Sequence, residues 1–164
     1  MAKVVGPGSF DPVTKGHIDI ITRASGMFED VVALVVINPE KNPSFTAAER
    51  VGLLSKATAH LPNVVVESYQ GLLADYVRSQ NAIGIVKGLR AMSDFEYEFQ
   101  MALTNKKLVP EAETIFLTTT SENMYLTSSL VKQVAAFEGD ISDFVPAEVL
   151  ADIQERLCNR TRMI

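Results

Sequence analysis

The sequence of 164 residues has little cysteine and no long apolar run. Cys158 is the single cysteine, so an internal disulfide bond is excluded and nothing indicates an oxidising compartment. No stretch approaches the about 18 apolar residues of a membrane span, and the first residues lack the apolar segment of a signal peptide. Because 47% of the residues are hydrophobic and 21% charged, a disordered chain is also excluded. These absences predict a globular protein of the cytoplasm with no membrane partner.

Basic residues are also in the minority. The chain has 15 basic and 20 acidic residues, a net charge of −5. General nucleic-acid binding needs a basic face, so we expect no nucleic-acid partner. A small anionic ligand is compatible with this charge, since several of the basic residues fall at the ends of predicted strands.

Five apolar runs alternate with helical patterns along the chain. The runs at residues 3–5, 31–37, 64–67, 83–86 and 114–117 lack polar alternation, which is typical of strands covered on both faces. Helical patterns lie between and after them, around residues 18–28 and at 46–57, 72–80, 93–108, 128–137 and 146–157. This order predicts an α/β fold with a doubly wound, Rossmann-like, five-stranded parallel sheet, flanking helices and a C-terminal helix. Ligands of such sheets bind beyond the carboxyl ends of the strands, where the strand order reverses.

The loop after the first strand is rich in glycine and leads into a helix. Gly6 and Gly8 allow close backbone approach, and a helix N-terminus attracts phosphate. His17, in the first helical turn, is placed to donate to a phosphate oxygen. The alternative is a glycine-rich connection with a surface histidine, because the loop matches neither a Walker motif nor a full Gly-x-Gly-x-x-Gly fingerprint.

Basic residues follow the most apolar strand. Lys87 and Arg90 flank Gly88, an arrangement that suits triphosphate binding but is also compatible with a solvated basic turn. Lys41, in the polar loop 38–43, is by itself an ordinary exposed lysine.

Two further patterns each leave alternatives open. Thr127, Ser128 and Ser129 lie at the start of a helix, where one hydroxyl serves as an N-cap and three together also make a phosphate cradle. Asp94 and Glu98 lie four residues apart on one helix face, which fits a general acid, a metal ligand pair or a solvated surface. No Cys/His cluster has zinc spacing, and we predict no protein-held metal.

Several separated motifs together resemble one known family. The stretch Thr14-Lys15-Gly16-His17, after Pro-Gly-Ser-Phe-Asp-Pro at 7–12, is similar to the Thr/His-x-Gly-His signature of the nucleotidyltransferase superfamily. Further motifs narrow the resemblance to the bacterial phosphopantetheine adenylyltransferase family over residues 4–157. They are Lys41, 45–46, 49–50, 87–90, 94–98, Asn105 and 128–132.

The resemblance implies one nucleotidyltransferase domain over residues 1–164. Its implied reaction transfers the adenylyl group of ATP to 4′-phosphopantetheine and gives dephospho-coenzyme A and pyrophosphate, a step of coenzyme A biosynthesis. It also implies Mg²⁺ carried with ATP, and a homohexamer. The implied catalytic residues are His17, Lys41 and Arg90. The implied ATP-binding residues are Ser9, Phe10, His17, Gly88, Leu89, Arg90, Glu98, Asn123, Met124, Tyr125, Leu126, Thr127, Ser128 and Ser129. The implied acceptor-binding residues are Ser9, Lys41, Leu73, Lys87 and Asn105.

The sequence departs from the family pattern at two places. Lys87 stands where the family usually has arginine, and lysine keeps the charge but not the bidentate fork. Leu126 and Thr127 replace the first two residues of Ile-Ser-Ser-Ser and keep the apolar residue and the hydroxyl.

Two other functions stay open at this point. One is another transferase of the superfamily, acting on nicotinate mononucleotide or an alcohol phosphate. The other is a nucleotide sensor without catalysis, since fold does not fix function. His17, Lys41 and Arg90 together favour an enzyme. Because an acceptor phosphate is already ionised near neutral pH, this chemistry needs no general base, and the sequence has no Ser-His-Asp or Cys-His arrangement.

Overall fold

The order of strands and helices is that of the predicted α/β fold. The computed structural model describes residues 2–161, and the side chains of 2–91 and 94–158. Short 3₁₀ turns lie at Ser121–Asn123 and Ala147–Val149. The strands and helices are β1 (Lys3–Gly8), α1 (Lys15–Met27), β2 (Asp30–Val36), α2 (Ala47–Ala57), β3 (Val64–Tyr69), α3 (Leu73–Ser79), β4 (Gly84–Leu89), α4 (Met92–Leu108), β5 (Glu113–Thr118), α5 (Ser128–Ala136) and α6 (Leu150–Thr161).

The five strands form one parallel sheet in the order β3-β2-β1-β4-β5. Buried side chains cover both of its faces. Ala33 and Val35 pack in one cluster with α2, α5 and α6, and Val32 and Leu34 pack in another with α3. The chain builds outward from β1 to β3 and then returns to the other side of β1 with β4. The predicted doubly wound sheet with a C-terminal helix is confirmed, and its strand order reverses between β1 and β4.

The two central strands separate at their carboxyl ends. β1 pairs with β2 at six positions, from Lys3 to Gly8. It pairs with β4 at two positions only, where Val4 and Val5 face Gly84 and Ile85. Because the paired stretch ends at Val5, the later residues of β1 and β4 leave an opening at the point of reversal.

Both central strands are longer than the apolar runs predict. β1 continues to Gly8 rather than residue 5, and β4 continues to Leu89 rather than residue 86. Lys87 and Gly88, expected in the loop after the strand, are therefore strand residues paired with Phe116 and Leu117 of β5. The physical reason is that a ladder is built from backbone groups, so polar residues and glycine can extend it.

Two helix boundaries also differ from the sequence prediction. The last helix starts at Leu150 rather than residue 146, after the 3₁₀ turn. α4 starts at Met92, with Ala91 as a cap that makes no side-chain hydrogen bond. Within residues 2–161, no helix combines the length and apolar character needed to cross a membrane.

Candidate active site

A cleft of about 450 Å³ lies where β1 and β4 separate. Its walls come from the carboxyl ends of both strands, the start of α1, the loop before α5 and the start of α5. Thirteen of the residues predicted for the site line it: Ser9, Phe10, His17, Lys41, Lys87, Gly88, Arg90, Glu98, Asn123, Leu126, Thr127, Ser128 and Ser129. The fold thus brings together groups that are spread over residues 9 to 129 of the sequence.

His17 is held by the cap of its own helix. Thr14 is the N-cap of α1, and its hydroxyl accepts a hydrogen bond of 3.3 Å from the His17 backbone N–H. The Thr14 backbone N–H donates in return to Nδ1 of the His17 ring at 3.0 Å. A nitrogen that accepts an N–H carries no proton, so the neutral ring has its proton on Nε2. The cap therefore leaves Nε2–H as the donor that His17 can offer to a ligand.

The surroundings of His17 favour the neutral ring. Burial is the largest cause that lowers its pKa, the positive charges of Arg90 and Lys87 act in the same direction, and together they bring it from 6.5 to about 4. At pH 7 the side chain is thus an uncharged imidazole among cations. This state suits a hydrogen-bond donor and is unsuited to a general acid that must give up a proton near neutral pH.

Phe10 supports the His17 ring from the side. Its ring meets the imidazole edge-on, with 4.9 Å between centroids, and Phe10 is almost fully buried. Phe10 has a φ of 49°, in the left-handed region that bulky residues seldom adopt. Such strain is found most often at functional sites, where surrounding structure maintains it.

The cations at the end of β4 are held by α4 and by the loop before α5. Arg90 donates from Nε to Asp94 at 3.1 Å and from Nη1 to the Leu126 carbonyl at 3.1 Å. Lys87 pairs with Glu98 at 3.5 Å. The two carboxylates that the sequence offers as acid, metal ligand or solvated surface are therefore ion-pair partners of the site cations.

Gly88 brings the backbone of β4 close to α1. A Cβ atom at this position would lie 2.9 Å from Cγ1 of Ile20, a distance that real contacts do not tolerate. A side chain at this position would press on Ile20, so glycine fits where β4 borders the cleft.

The hydroxyl residues at the start of α5 have different partners. Thr127 is the N-cap and accepts from the Leu130 backbone N–H at 3.0 Å. Ser128 donates to the Pro12 carbonyl at 2.7 Å, which links α5 to the loop after β1. Ser129 is exposed at the cleft. One hydroxyl is thus the expected cap, and Ser129 stays available to a ligand.

Two smaller cavities adjoin the cleft. One of about 90 Å³ shares Lys87 and Glu98 with it and includes Leu73 and Asn105, the predicted contacts of the acceptor. The other, of about 340 Å³, shares Ser9, Lys41, Ser128 and Ser129 with it. All five residues predicted for the acceptor therefore line the cleft or a cavity beside it.

Three predicted ATP-binding residues lie beside the cleft rather than in its lining. Leu89 is the last residue of β4, and its carbonyl accepts from the Thr119 backbone N–H. Met124 and Tyr125 are exposed, and the Tyr125 ring meets that of Phe144 edge-on. The functional roles of all the predicted site residues stay predictions.

Sequence reasoning missed the residues that hold the site loops. The Asp11 carboxylate, 6% exposed, accepts from the backbone N–H groups of Ser44 and Phe45 and from Lys132. Arg50, 4% exposed, donates to the Ser9 carbonyl at 3.0 Å. Asp11, Arg50 and Lys132 belong to the family motifs at 7–12, 49–50 and 128–132. The resemblance therefore pointed to these positions but did not indicate what the side chains do.

The fold, the cleft and a family match together define a nucleotidyltransferase of the Rossmann-like class. The sequence pattern of the Cytidylyltransferase-like family matches residues 5–134. A putative nicotinate-nucleotide adenylyltransferase from Vibrio parahaemolyticus is similar in fold, with a TM-score of 0.71 over 98% of each chain at 18% identity.

Sequence relatives narrow the class further. The phosphopantetheine adenylyltransferase of Heliobacterium modesticaldum is 54% identical over 162 residues, 99% of this chain and 96% of that one. The protein of the same name from Alkaliphilus metalliredigens is 55% identical over 150 residues, 92% of this chain and 96% of that one. The chain belongs to the phosphopantetheine adenylyltransferase family.

Proposed function

We propose that this protein transfers the adenylyl group of ATP to 4′-phosphopantetheine, with dephospho-coenzyme A and pyrophosphate as products. The observation that carries the proposal is the meeting of His17, Lys87 and Arg90 in one cleft at the reversal point of the sheet. Sequence comparison also supports the proposal, because a relative named phosphopantetheine adenylyltransferase is 54% identical to this chain.

The reaction is a direct displacement at the α-phosphorus of ATP. A phosphate oxygen of the acceptor forms the new P–O bond, and the bond between the α-phosphorus and the bridging oxygen to the β-phosphate breaks. Pyrophosphate leaves with the electron pair of that bond. The attacking oxygen is already ionised near neutral pH, so no proton has to be removed. Catalysis then consists of positioning and of charge stabilisation.

His17 stabilises the α-phosphoryl oxygens as charge develops on them. The proposed donor is Nε2–H, since Nδ1 already accepts from the Thr14 backbone. A neutral donor keeps its proton through the reaction, which fits a group that only stabilises charge. Arg90 and Lys41 share that charge. The triphosphate is held by Gly88, Arg90, Ser128 and Ser129.

The acceptor occupies the Lys87 side of the cleft. Lys41, Lys87 and Ser9 bind its phosphate, and the pantetheine arm extends to the smaller cavity that Leu73 and Asn105 line. This arrangement is supported by continuity, since Lys87 and Glu98 line both the main cleft and that cavity.

We propose that Mg²⁺ enters with ATP, bound by the phosphates, where it supplies positive charge to the leaving group. Among the described side chains, no three His, Cys, Asp or Glu residues lie close enough together to hold a metal ion. Glu98 lines the cleft but is paired with Lys87. The cleft therefore fits a Mg²⁺ ion that is bound to the phosphates of ATP. Such an ion commonly keeps water and phosphate ligands and needs few ligands from the protein.

We also propose a homohexamer that works in the cytoplasm, where its substrate ATP is available. The support for assembly, besides the family, is the exposed apolar face of α4. Phe95 and Phe99 stack on this face with 5.5 Å between ring centroids, and Leu103, one turn beyond Phe99, is also exposed. Exposed apolar patches of this kind mark interaction surfaces. Light scattering that finds a stable monomer overturns this part of the proposal.

Pyrophosphate release from Mg-ATP tests the proposed reaction. Four acceptors are compared: 4′-phosphopantetheine, unphosphorylated pantetheine, nicotinate mononucleotide and an alcohol phosphate. We expect release with 4′-phosphopantetheine alone, since its phosphate is the nucleophile. Release only with nicotinate mononucleotide would identify another transferase of the superfamily. ATP binding without release in any mixture would favour the nucleotide sensor.

A further inference from the structure

Two residues between the loop of Lys41 and α2 are held from the inside of the molecule. We call residues 38–43 the acceptor loop, since Lys41 lies in it; Ser44 and Phe45 follow directly. Asp11 accepts from the Ser44 N–H through Oδ2 and from the Phe45 N–H through Oδ1, both at 2.9 Å. Because Asp11 belongs to the loop after β1, these hydrogen bonds join the end of the acceptor loop to the segment whose Ser9 and Phe10 line the cleft.

The same two residues are held from the outside by the last helix. Arg156 of α6 donates from Nη1 to the Ser44 carbonyl at 3.2 Å and to Glu49 Oε1 at 3.0 Å. Its guanidinium also lies over the Phe45 ring, 5.4 Å from the centroid. Nη2 donates to the second oxygen of Glu49. The hydrogen bond from Arg156 is the largest cause of the lowered pKa of Glu49.

The acceptor loop has few means to fix its own position. Residues 38–42 are exposed, and the hydrogen bonds around Lys41 are local: the Lys41 N–H donates to the Asn38 carbonyl at 3.1 Å, and the Glu40 N–H donates to Asn38 Oδ1 at 3.0 Å. A short exposed turn takes its position from the elements at its two ends. One end is β2, and the other is the pair Ser44 and Phe45.

We propose that Arg156 is a positioning residue for Lys41, so that the C-terminal helix controls how the acceptor is bound. Arg156 touches no proposed substrate and acts through Ser44, Phe45 and Glu49. This inference rests on the proposed function, in which Lys41 binds the acceptor phosphate. Displacing a positioned group by about 1 Å can lower a rate on the order of 100-fold. The Asp11 contacts remain when Arg156 is removed, so we expect a partial loss.

The chain offers a matched control on the same two helices. Lys56 of α2 and Asp152 of α6 form an exposed ion pair at 2.8 Å. Lys56→Met and Arg156→Met each remove one cation that joins α2 to α6, but only Arg156 contacts Ser44 and Phe45. Arg156→Lys is the conservative variant, which keeps the charge and loses the planar fork.

The experiment measures four quantities for wild type and the three variants: the acceptor KM, kcat, the Kd for ATP, and amide exchange in residues 38–45. For Arg156→Met we expect the acceptor KM to rise about tenfold, faster exchange in the acceptor loop, and an ATP Kd within about twofold of wild type. For Arg156→Lys, the acceptor KM and the exchange rate in the acceptor loop should lie between those of wild type and Arg156→Met. Lys56→Met should match wild type in all four quantities.

The outcomes separate the positioning role of Arg156 from the proposed function. An acceptor KM of Arg156→Met that equals that of wild type, or that Lys56→Met raises equally, overturns the positioning role of Arg156. If Arg156→Met does not fold, Arg156→Lys decides, and a wild-type acceptor KM and exchange pattern in that variant overturns the proposal. A wild-type protein that releases no pyrophosphate with 4′-phosphopantetheine contradicts the proposed function instead, and amide exchange still tests the contact.

Discussion

The backbone N–H of Thr14 donates a hydrogen bond of 3.0 Å to Nδ1 of His17. This one contact closes the capping box of α1 and also determines which nitrogen of the ring carries the proton. The capping box, which stabilises the start of α1, therefore also leaves Nε2–H as the donor at the cleft. The local fold and the proposed chemistry consequently depend on the same two residues.

His17→Ala should leave a folded protein that binds ATP but turns over slowly. A donor aimed at charge that develops in the transition state contributes about 10²–10³ in kcat, or roughly 2.7–4 kcal/mol. ATP affinity should change less, because Gly88 and Arg90 remain. The measurements are kcat and the ATP Kd, with circular dichroism as the folding control. A folded variant that keeps more than about a tenth of the wild-type kcat contradicts this role.

The His17 ring should titrate near pH 4 rather than near 6.5, because burial and the charges of Arg90 and Lys87 disfavour the imidazolium. NMR titration of the ring protons measures this pKa directly, and His60→Gln assigns the signal, since the chain has two histidines. An inflection near 6.5 from the His17 ring would mean that it is charged in part at neutral pH, against the neutral-donor assignment.

The same pKa predicts how stability depends on pH. Unfolded His17 takes up a proton near pH 6.5, whereas the folded ring resists it down to about 4, so the free energy of unfolding falls as the pH drops through this range. The full loss is about 3 kcal/mol, of which about 2 kcal/mol is reached by pH 5. Urea unfolding at pH 7.5 and 5 should therefore show a smaller loss for His17→Gln than for wild type. Equal losses refute the prediction, and exposed His60→Gln serves as control.

Thr14→Val should destabilise the fold by about 1 kcal/mol, because the buried hydroxyl caps α1. Thr14→Ser keeps the hydroxyl and should be close to wild type. The kcat of both variants should stay within about threefold of wild type, since the backbone N–H still donates to Nδ1 and a factor of three corresponds to less than 1 kcal/mol. Urea unfolding and kcat are measured together. Equal stability of the two variants would show that the cap contributes nothing.

Lys87→Ala should mainly weaken use of the acceptor, because the lost charge faces its phosphate in the proposed complex. A hydrogen bond to a charged group contributes about 1.5–3 kcal/mol, so the acceptor KM should rise about 10–100-fold. Lys106→Ala, an exposed lysine of α4, is the matched control. Unchanged acceptor KM and kcat for Lys87→Ala would show that Lys87 serves only its ion pair with Glu98 and does not bind the acceptor.

Much of the fold could be predicted from the sequence because its central strands are buried on both faces. The run at 31–37 is apolar throughout for this reason, and β2 occupies nearly the same residues. The ends of β1 and β4 could not be predicted, since Gly8 and Lys87 enter the ladder through backbone pairing that leaves no pattern in side-chain polarity.

Part of the candidate site could also be predicted from the sequence, and part could not. His17 and Arg90 could be predicted to lie near each other, because one is at the start of a helix after β1 and the other follows β4, positions that the sequence order reveals. The contact of Asp11 with Ser44 and that of Arg156 with Glu49 join residues 33 and 107 positions apart. No periodicity encodes such partners, so these contacts appear only in the folded chain.

Mass spectrometry of the products tests the central claim most directly. Wild type and His17→Ala are incubated with Mg-ATP and 4′-phosphopantetheine, and dephospho-coenzyme A and pyrophosphate are quantified. The account predicts equal amounts of the two products with wild type and, at equal times, less than a tenth as much with His17→Ala. Pyrophosphate without dephospho-coenzyme A, or an adenylylated product of another acceptor only, would contradict it.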